Sequence, residues 1–492
     1  MRRFVETVVG VGLAAAMTAL GQGLYPVWLL AWLAPLPLLI LGLRRGWLHA
    51  GVAALVAVSL GRVPFAAFLL HALQMPPAVA AAIVVLPALV VAAGVLLVRG
   101  LALHGAPWSG VLAFPATMVA AEYAASQGPD GTAGVLAYSQ MECLPVLQLA
   151  SVTGVWGISF LLGFAAAGLA VGLHRRDGRM VVVVAAAVLA VFAWGGWRES
   201  DGVSRESATV RVGQAATAES SASIAQVISG EAAGAEVILE AYEEQVDALA
   251  HAGAQVVVLP EEIVGVPAGA EGTVRDRFSR MAAHDHVTLV AGARVVDTPQ
   301  GRNVAMVFAP TGDLVGTYVK EHLVPGFEIP RLAPGSELLV MDEPVRAGVA
   351  ICKDMDFPDP ARRYAAAGAD LLLVPAWDFH DDGWLHGRMA IMRGVELGLP
   401  MVRSAQGGML TVSDAFGRVL AQTVTGDATA RHVTDVPVGH VATLYGRFGD
   451  WCAKLAFSVL GGVLVRLIWV LRVSRDRLRS AMKTISRGAV RR

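Results

Sequence analysis

The chain has 492 residues, of which 55% are hydrophobic and 16% charged, with a mean hydropathy of +0.57; this excludes an ordinary soluble globular protein and places much of the chain in lipid. A formal net charge of -1, with the basic residues gathered at the C-terminus, excludes bulk nucleic-acid binding. Three cysteines, Cys143, Cys352 and Cys452, are far apart, odd in number and without CxxC or Cys/His spacing, so neither a disulfide framework nor a metal site can be read from them.

A bilayer core takes about 20 apolar helical residues. Seven stretches of that kind precede residue 200, at roughly 4–21, 25–43, 47–71, 77–98, 107–127, 156–174 and 180–197, and an eighth, KLAFSVLGGVLVRLIWVLRV, lies near 454–473. The first has the look of a signal peptide, but apolar segments follow at once without a convincing cleavage site, so it reads as a span. Short cytoplasmic loops retain Arg and Lys. Arg2 and Arg3, Arg44 and Arg45, Arg99, and then Arg175, Arg176 and Arg179 flank alternate spans, while GQGLYP and ASQGPDGTAG carry no basic residue. Seven spans therefore carry residue 200 to the outer side. The eighth returns the chain to a cytoplasmic tail opened by Arg472, Arg475, Arg477, Arg479 and Lys483, which can rest on anionic lipid. The division predicted is seven transmembrane helices over 1–205, an extracytoplasmic domain over 206–440, and the eighth helix with its basic tail over 441–492. Glu6, Arg62, Glu122 and Arg466 fall within the spans, either as marks of an ion path or as residues near ends and kinks that reach the interface.

From 206 the pattern turns to short β-branched runs alternating with amphipathic stretches, which predicts an α/β domain. ATVRVGQAA reads as a strand and ILEAYEEQVDALAHAG as a helix. AQVVVLP is a buried strand ending at Glu261, HVTLVAGARVV and AMVFAP are further strands, and LVGTYVK carries Lys320. AGVAIC is a buried strand ending at Cys352, and PDPARRYAAAGA a helix opened by proline. LLLVPA, the helix WLHGRMAIMRGVELG, MVRSA and a hairpin through DAFGR complete the series.

Glu261, Lys320 and Cys352 thus sit at or just past the ends of separate strands, the edge at which α/β sheets build their sites. A cation beside a thiol favours the thiolate, a carboxylate can take its proton, and a lysine with a backbone N–H can hold an oxyanion. On the residues alone, Cys352 is equally readable as a small buried hydrophobe, Glu261 as a surface carboxylate beside Glu262, and Lys320 as a strand-edge lysine. Cys143 and Cys452 have no acidic or basic partner in the pattern and read as inert. His322 and His386 are candidates for pocket contacts, His386 being equally readable as structural.

The words around these residues resemble the nitrilase (carbon-nitrogen hydrolase) superfamily, and within it the membrane-embedded branch, apolipoprotein N-acyltransferase. VVVLPEE is similar to the family's Pro-Glu after a strand, YVKEHLVPGFE to its lysine segment with the further Glu328, GVAICKD to its nucleophile strand, and RMAIMRGVELGLPMVRSAQGGMLTVSDAFGRVLAQT to its helix, strand and hairpin. The resemblance implies a multi-pass α-helical membrane domain joined to a nitrilase-like four-layer α-β-β-α sandwich, with Glu261, Lys320 and Cys352 as the catalytic set and no metal or dissociable cofactor. It implies a phospholipid acyl donor, a diacylglyceryl-cysteine apolipoprotein as acceptor, and a site on the outer face of the cell (inner) membrane. Lys353 and Asp354 stand where the family carries an aromatic residue and Glu, PGFE replaces Pro-Phe-Gly-Glu, and AWDFHDDGWLHG replaces Ser-Asn-Asp-Ala-Trp-Phe-Gly. Glu328, Lys353, Asp354, Trp377, Trp384 and His386 are therefore the substrate-binding or auxiliary candidates, Lys353 as a second cation near the thiol. A membrane-tethered amidase using water as the second nucleophile, an acyltransferase with another acceptor, and a transport or sensory protein that only binds, without catalysis, are the competing readings.

Overall fold

The computed structural model describes residues 1–203, 208–267, 269–297 and 299–489. The side chains from 475 onward, which include Arg475, Arg477, Arg479 and Lys483 of the basic tail, lie outside the described part.

Among the described residues, five helices are long and apolar enough to cross a bilayer: Arg2–Gly21, Pro77–Leu103, Val155–Arg175, Gly178–Ser200 and Trp451–Ser474. The other three expected spans differ from the sequence reading. The 25–43 stretch is two short helices, Trp28–Leu33 and Pro35–Arg44, because Pro35 opens a new helix instead of continuing the first. The 47–71 stretch bends by 46° between Trp47–Gly61 and Val63–His71, again with a proline, Pro64, in the first turn of the second helix. Pro107–Ser126 forms one 20-residue helix but carries Glu122 and is less apolar than the five. The basic residues between spans meet at one end of the bundle: Arg45 donates to Glu6 at 2.7 Å, Arg99 to the carbonyl of Gly42 at 2.7 Å and Arg175 to the carbonyl of Ala102 at 3.2 Å.

The segment 127–154, read from its sequence as a loop, is folded. Its 3-10 turn Leu136–Gln140 and the short helices Leu144–Leu147 and Ala150–Thr153 bury Tyr138, Met141, Cys143, Val146 and Leu147. They pack on the second domain.

That domain is built on two facing sheets. In the first, β1 (Thr209–Ala216), β2 (Val256–Val258), β4 (Thr288–Val296), β5 (Arg302–Phe308) and β6 (Leu314–Val319) follow one another in space, β13 (Ala430–Pro437) pairs antiparallel with β1, and β3 (Val264–Pro267) lies beside β4. In the second, the order is β12 (Val419–Val424), β11 (Met409–Ser413), β10 (Met401–Gln406), β9 (Leu371–Trp377), β8 (Ala347–Val349) and β7 (Leu339–Met341). The short parallel strands β2, β8 and β9 are continuous apolar runs because they are covered on both faces. Val212, Val258, Val290, Val349, Leu373 and Val402 fill the space between the sheets, each such burial contributing about 1.5–3 kcal/mol. Helices Ala232–His251 and Glu271–Asp285 cover the first sheet, and Pro358–Ala366 and Gly383–Leu397 the second, which gives the expected four layers. The four-residue strand β3, the polar strand β13 and the charged helix Glu271–Asp285 are elements that the apolar periodicity did not reveal.

Helix Gly383–Leu397 is buried at 13 of its positions because the fourth layer does not face solvent. Tyr138, Val155, Trp156 and Leu162 from the helical region share one core with Met389, Ile391 and Val395. At its centre Arg393 and Glu396, both fully buried, lie 3.0 Å apart. Arg393 also donates to Tyr138 Oη at 3.1 Å, and Glu396 accepts the N–H of Val155, which opens a membrane helix, at 2.9 Å. Two side chains on one helix thus fasten the sandwich to the bundle. Glu396→Ala leaves Arg393 charged, buried and unpaired, a loss of about 3–5 kcal/mol; thermal unfolding in detergent micelles should show a clearly lowered midpoint, and an unchanged midpoint would mean that this pair does not hold the junction.

Candidate active site

The strand ends bring the chemistry together. Two residues past β2, Leu259 and Pro260, lead to Glu261, whose N–H reaches across to the carbonyl of Ala376 in the second sheet at 3.3 Å. Gly292 of β4 runs beneath this crossing so closely that a Cβ there would meet the Pro260 carbonyl at 2.3 Å. Lys320 follows β6 directly, and its N–H donates to the carbonyl of Asn303 on β5 at 2.9 Å. Its ammonium, on a residue 1% exposed, lies 2.6 Å from Glu261 Oε1 and 2.9 Å from Glu328 Oε2. Asn303 Nδ2 donates to both carboxylates, at 2.6 and 2.8 Å. The Val324 N–H adds a third donor to Glu328 at 2.6 Å.

Cys352 leaves β8 by way of Ala350 and Ile351 and opens the turn Cys352–Asp356 with φ +43°. A non-glycine residue rarely adopts this left-handed conformation, which costs of order 1–3 kcal/mol and persists where the surroundings impose it. Asp354 imposes it here. One of its oxygens accepts from the Ile351 N–H at 3.0 Å and from Tyr318 Oη at 2.8 Å, and the other from the His322 N–H at 2.8 Å. Tyr318 and His322 flank Lys320 in sequence, so Asp354 straps the cysteine turn to the lysine segment. The sulfur lies 3.5 Å from the carbonyl of Trp377.

Burial pushes the Cys352 thiol well up, the charge of Glu261 adds to the rise, and Lys320 and Arg403 oppose it. At rest the group is a thiol. Burial also raises Glu261 against the pull of Lys320. Lys320 goes the other way: desolvation lowers it, but Glu261 and Glu328 overcome this and hold its proton firmly. The arrangement is a fixed ammonium beside a carboxylate with raised basicity and a protonated thiol. Such a set can move one proton from sulfur to carboxylate while a positive charge waits for a developing oxyanion.

The auxiliary candidates divide. Glu328 joins the lysine cluster. Trp377 offers its carbonyl to the sulfur. Lys353 turns away: its Nζ lies 3.3 Å from Asp356 and 3.4 Å from Asp130 of the folded 127–154 segment. Thr132 in the same segment donates to the Asp356 carbonyl through its N–H at 2.9 Å and its hydroxyl at 2.8 Å. Trp384 contacts Arg388, whose guanidinium is 5.2 Å from its ring, and Tyr25 at 6.1 Å. His386 lies 3.4 Å from Asp382 and 3.9 Å from Asp378, and His322 stacks on Phe357 at 3.8 Å. Cys143 is buried, which raises its thiol. Arg403, Asp378, Asn303 and Tyr318 were missed. Arg403 makes a two-pronged pair with Asp378, at 2.5 and 2.8 Å, and its charge acts on the sulfur. A charged residue inside the buried run MVRSA was the available signal for it. Asp247, His284 and Asp285 have ligand atoms within 4.8 Å of one another, but they sit on the outer helices and His284 is exposed.

This fold and this clustering define a carbon-nitrogen hydrolase domain, and residues 210–440 match the Carbon-nitrogen hydrolase family. Residues 14–168 match the Apolipoprotein N-acyltransferase N-terminal domain, so this one chain carries matches to both domains. It is similar to the apolipoprotein N-acyltransferase of Geobacter metallireducens, 26% identical over 72% of this chain and 74% of the relative. It is also similar to that of Azotobacter vinelandii, 28% identical over 92% and 94%. Among solved structures, an amidase of Nesterenkonia sp. AN1 with an acrylamide adduct at its active-site cysteine aligns at 21% identity and a TM-score of 0.42, covering 50% of this chain and 98% of the amidase.

Two outcomes follow from the electrostatics. Burial pushes the Glu262 carboxyl up to about 8, against the pull of Arg294 at 3.4 Å. The folded state therefore keeps a proton that the unfolded chain releases near 4.5, and the stability this contributes is full below that pH and lost as the pH rises toward 8. Glu262→Gln should flatten the melting midpoint across that window; an unaltered pH profile would contradict the assignment. Secondly, since Lys353 faces Asp130 and Asp356, Lys353→Met should leave the pH midpoint of Cys352 alkylation in place. Lys320→Met should raise it by about one unit or more. A shift with Lys353→Met alone would make Lys353 the cation that acts on the thiol.

Proposed function

We propose that the chain transfers an acyl group from a phospholipid to the N-terminal amine of a diacylglyceryl-cysteine apolipoprotein through a thioester on Cys352. The observation that supports this reading is the buried Glu261–Lys320 pair at adjoining strand ends, whose charges both act on the Cys352 thiol, in a sandwich fastened to apolar helices. The names of the relatives supply the apolipoprotein acceptor and the transfer to nitrogen; the phospholipid donor is what the family resemblance of the sequence implies.

In the first half-reaction Glu261 accepts the proton of Cys352 and the sulfur attacks an ester carbonyl. The oxyanion is held by the Lys320 ammonium and a backbone N–H after the cysteine. As the ester C–O bond breaks, Glu261 returns the proton to the departing lysophospholipid oxygen. In the second, the amine attacks the thioester carbonyl, Glu261 takes a proton from nitrogen, the C–S bond breaks, and the proton passes to sulfur as the amide forms. Glu328 and Asn303 keep Lys320 and Glu261 in register. On this reading the site lies on the outer face of the cell membrane; the gathering of basic residues at the end of the bundle opposite Tyr25, which meets Trp384, supports it.

The purified protein incubated with radiolabelled phospholipid should carry a hydroxylamine-sensitive acyl label on Cys352 that moves to an added diacylated lipopeptide. Cys352→Ala should abolish the label and Glu261→Gln slow it by roughly 10²–10⁴. Release of the label only as free fatty acid would assign a hydrolase instead.

A further inference from the structure

Of Glu6, Arg62, Glu122 and Arg466, three are accounted for. Glu6 pairs with Arg45 at 2.7 Å and Arg2 at 3.2 Å. Glu122 accepts the Leu136 N–H at 2.9 Å, and Arg466 lies 4.3 Å over the Trp469 ring. Arg62 is the exception. It stands at the 46° break between Trp47–Gly61 and Val63–His71, with the ring of Phe65 at 5.5 Å. Among the described residues no carboxylate and no hydrogen-bond acceptor engages it, and its Nε is buried without a partner.

Arg62 lines a cavity of about 260 Å³ together with Thr18, Gln22, Tyr25, Tyr138 and Leu385. The first helix and the bend form one wall, and the folded 127–154 segment and helix Gly383–Leu397 form the other. The cavity is therefore at the seam between the apolar helices and the sandwich. A guanidinium withdrawn from water without a counter-charge is costly, and a planar fork of donors matches phosphate oxygens. Gln22, Thr18 and Tyr25 add hydrogen-bonding groups, while Phe65 and Leu385 offer apolar contact. A small anion satisfies the first feature, and an anion attached to apolar chains satisfies both.

We propose that this cavity binds the phosphate of a phospholipid headgroup through Arg62. The seam position sets the headgroup at the level where the apolar helices give way to the sandwich. The wall residues Ala133 to Ser139 continue from Thr132, which holds the Asp356 carbonyl in the cysteine turn. The assignment of this lipid as acyl donor rests on the function proposed above; the binding itself does not.

The test uses full-length Cys352→Ala protein in micelles, which has no nucleophile, and radiolabelled phosphatidylglycerol. Adding Arg62→Gln should weaken binding at least tenfold, with partial recovery in Arg62→Lys. Leu385→Trp, which fills the cavity without touching the charge, should weaken it similarly and carries the test if Arg62→Gln does not fold. Phosphate-free diacylglycerol should be retained equally by all of them. Equal phosphatidylglycerol affinity in every variant overturns the proposal, as does displacement of the lipid by inorganic phosphate at equal concentration, which would assign a free-phosphate site. Arg62-dependent lipid binding in a protein whose Cys352 form transfers no acyl group would leave the headgroup site standing and remove the donor role.

Discussion

A lysine ammonium taken out of water must find its counter-charge inside the protein or lose its proton. Lys320 finds two, Glu261 and Glu328, and the amide of Asn303 ties the carboxylates to each other. Everything else at the site is arranged around this cluster. The Gly292 backbone passes under Glu261 because nothing larger fits, the hairpin of β5 and β6 delivers Asn303 and Lys320 side by side, and Asp354 holds the cysteine turn against the segment that carries the lysine. Two carboxylates for one ammonium leave the cluster short of positive charge. Burial first, and then the surplus carboxylate charge, keeps Glu261 basic and the neighbouring sulfur protonated.

Much of this was legible in the sequence. VVVLPEE, LVGTYVK and GVAIC are short β-branched runs that each end on a chemically capable residue, and the family resemblance of YVKEHLVPGFE added Glu328. Less legible were residues whose role depends on a neighbour distant in sequence. Asn303 follows an unremarkable Gly-Arg pair, and only the strand pairing shows that it faces Lys320. Lys353, next to Cys352 in sequence, reads as an activating cation, yet the turn sends successive side chains in different directions and this one leaves the sulfur for Asp356 and Asp130. Adjacency along a chain is a poor guide to direction in a tight turn. The apolar segments were likewise legible as composition, whereas the breaks at Pro35 and Arg62 depended on helix geometry.

The catalytic half and the helical half are joined at the cysteine turn as well as at the buried Arg393–Glu396 pair. Lys353 and the carbonyl of Asp356 both contact the folded 127–154 segment, and Tyr138 of that segment touches Arg393 while its hydroxyl lies 2.6 Å from that of Thr132. One short stretch between two apolar helices thus touches the cysteine turn on one side and the junction on the other.

The fourth layer of the sandwich has no free outer surface. Helix Gly383–Leu397 presents Met389, Ile391 and Val395 to a core that it shares with Trp156 and Leu162, so cutting the chain near residue 206 would not liberate a water-soluble enzyme. The excised piece would carry a naked greasy stripe, an arginine and a glutamate without Tyr138 and the Val155 N–H, and a cysteine bend missing its outer brace. The boundary that a domain map draws between lipid and water is, in this chain, drawn through the middle of one hydrophobic interior.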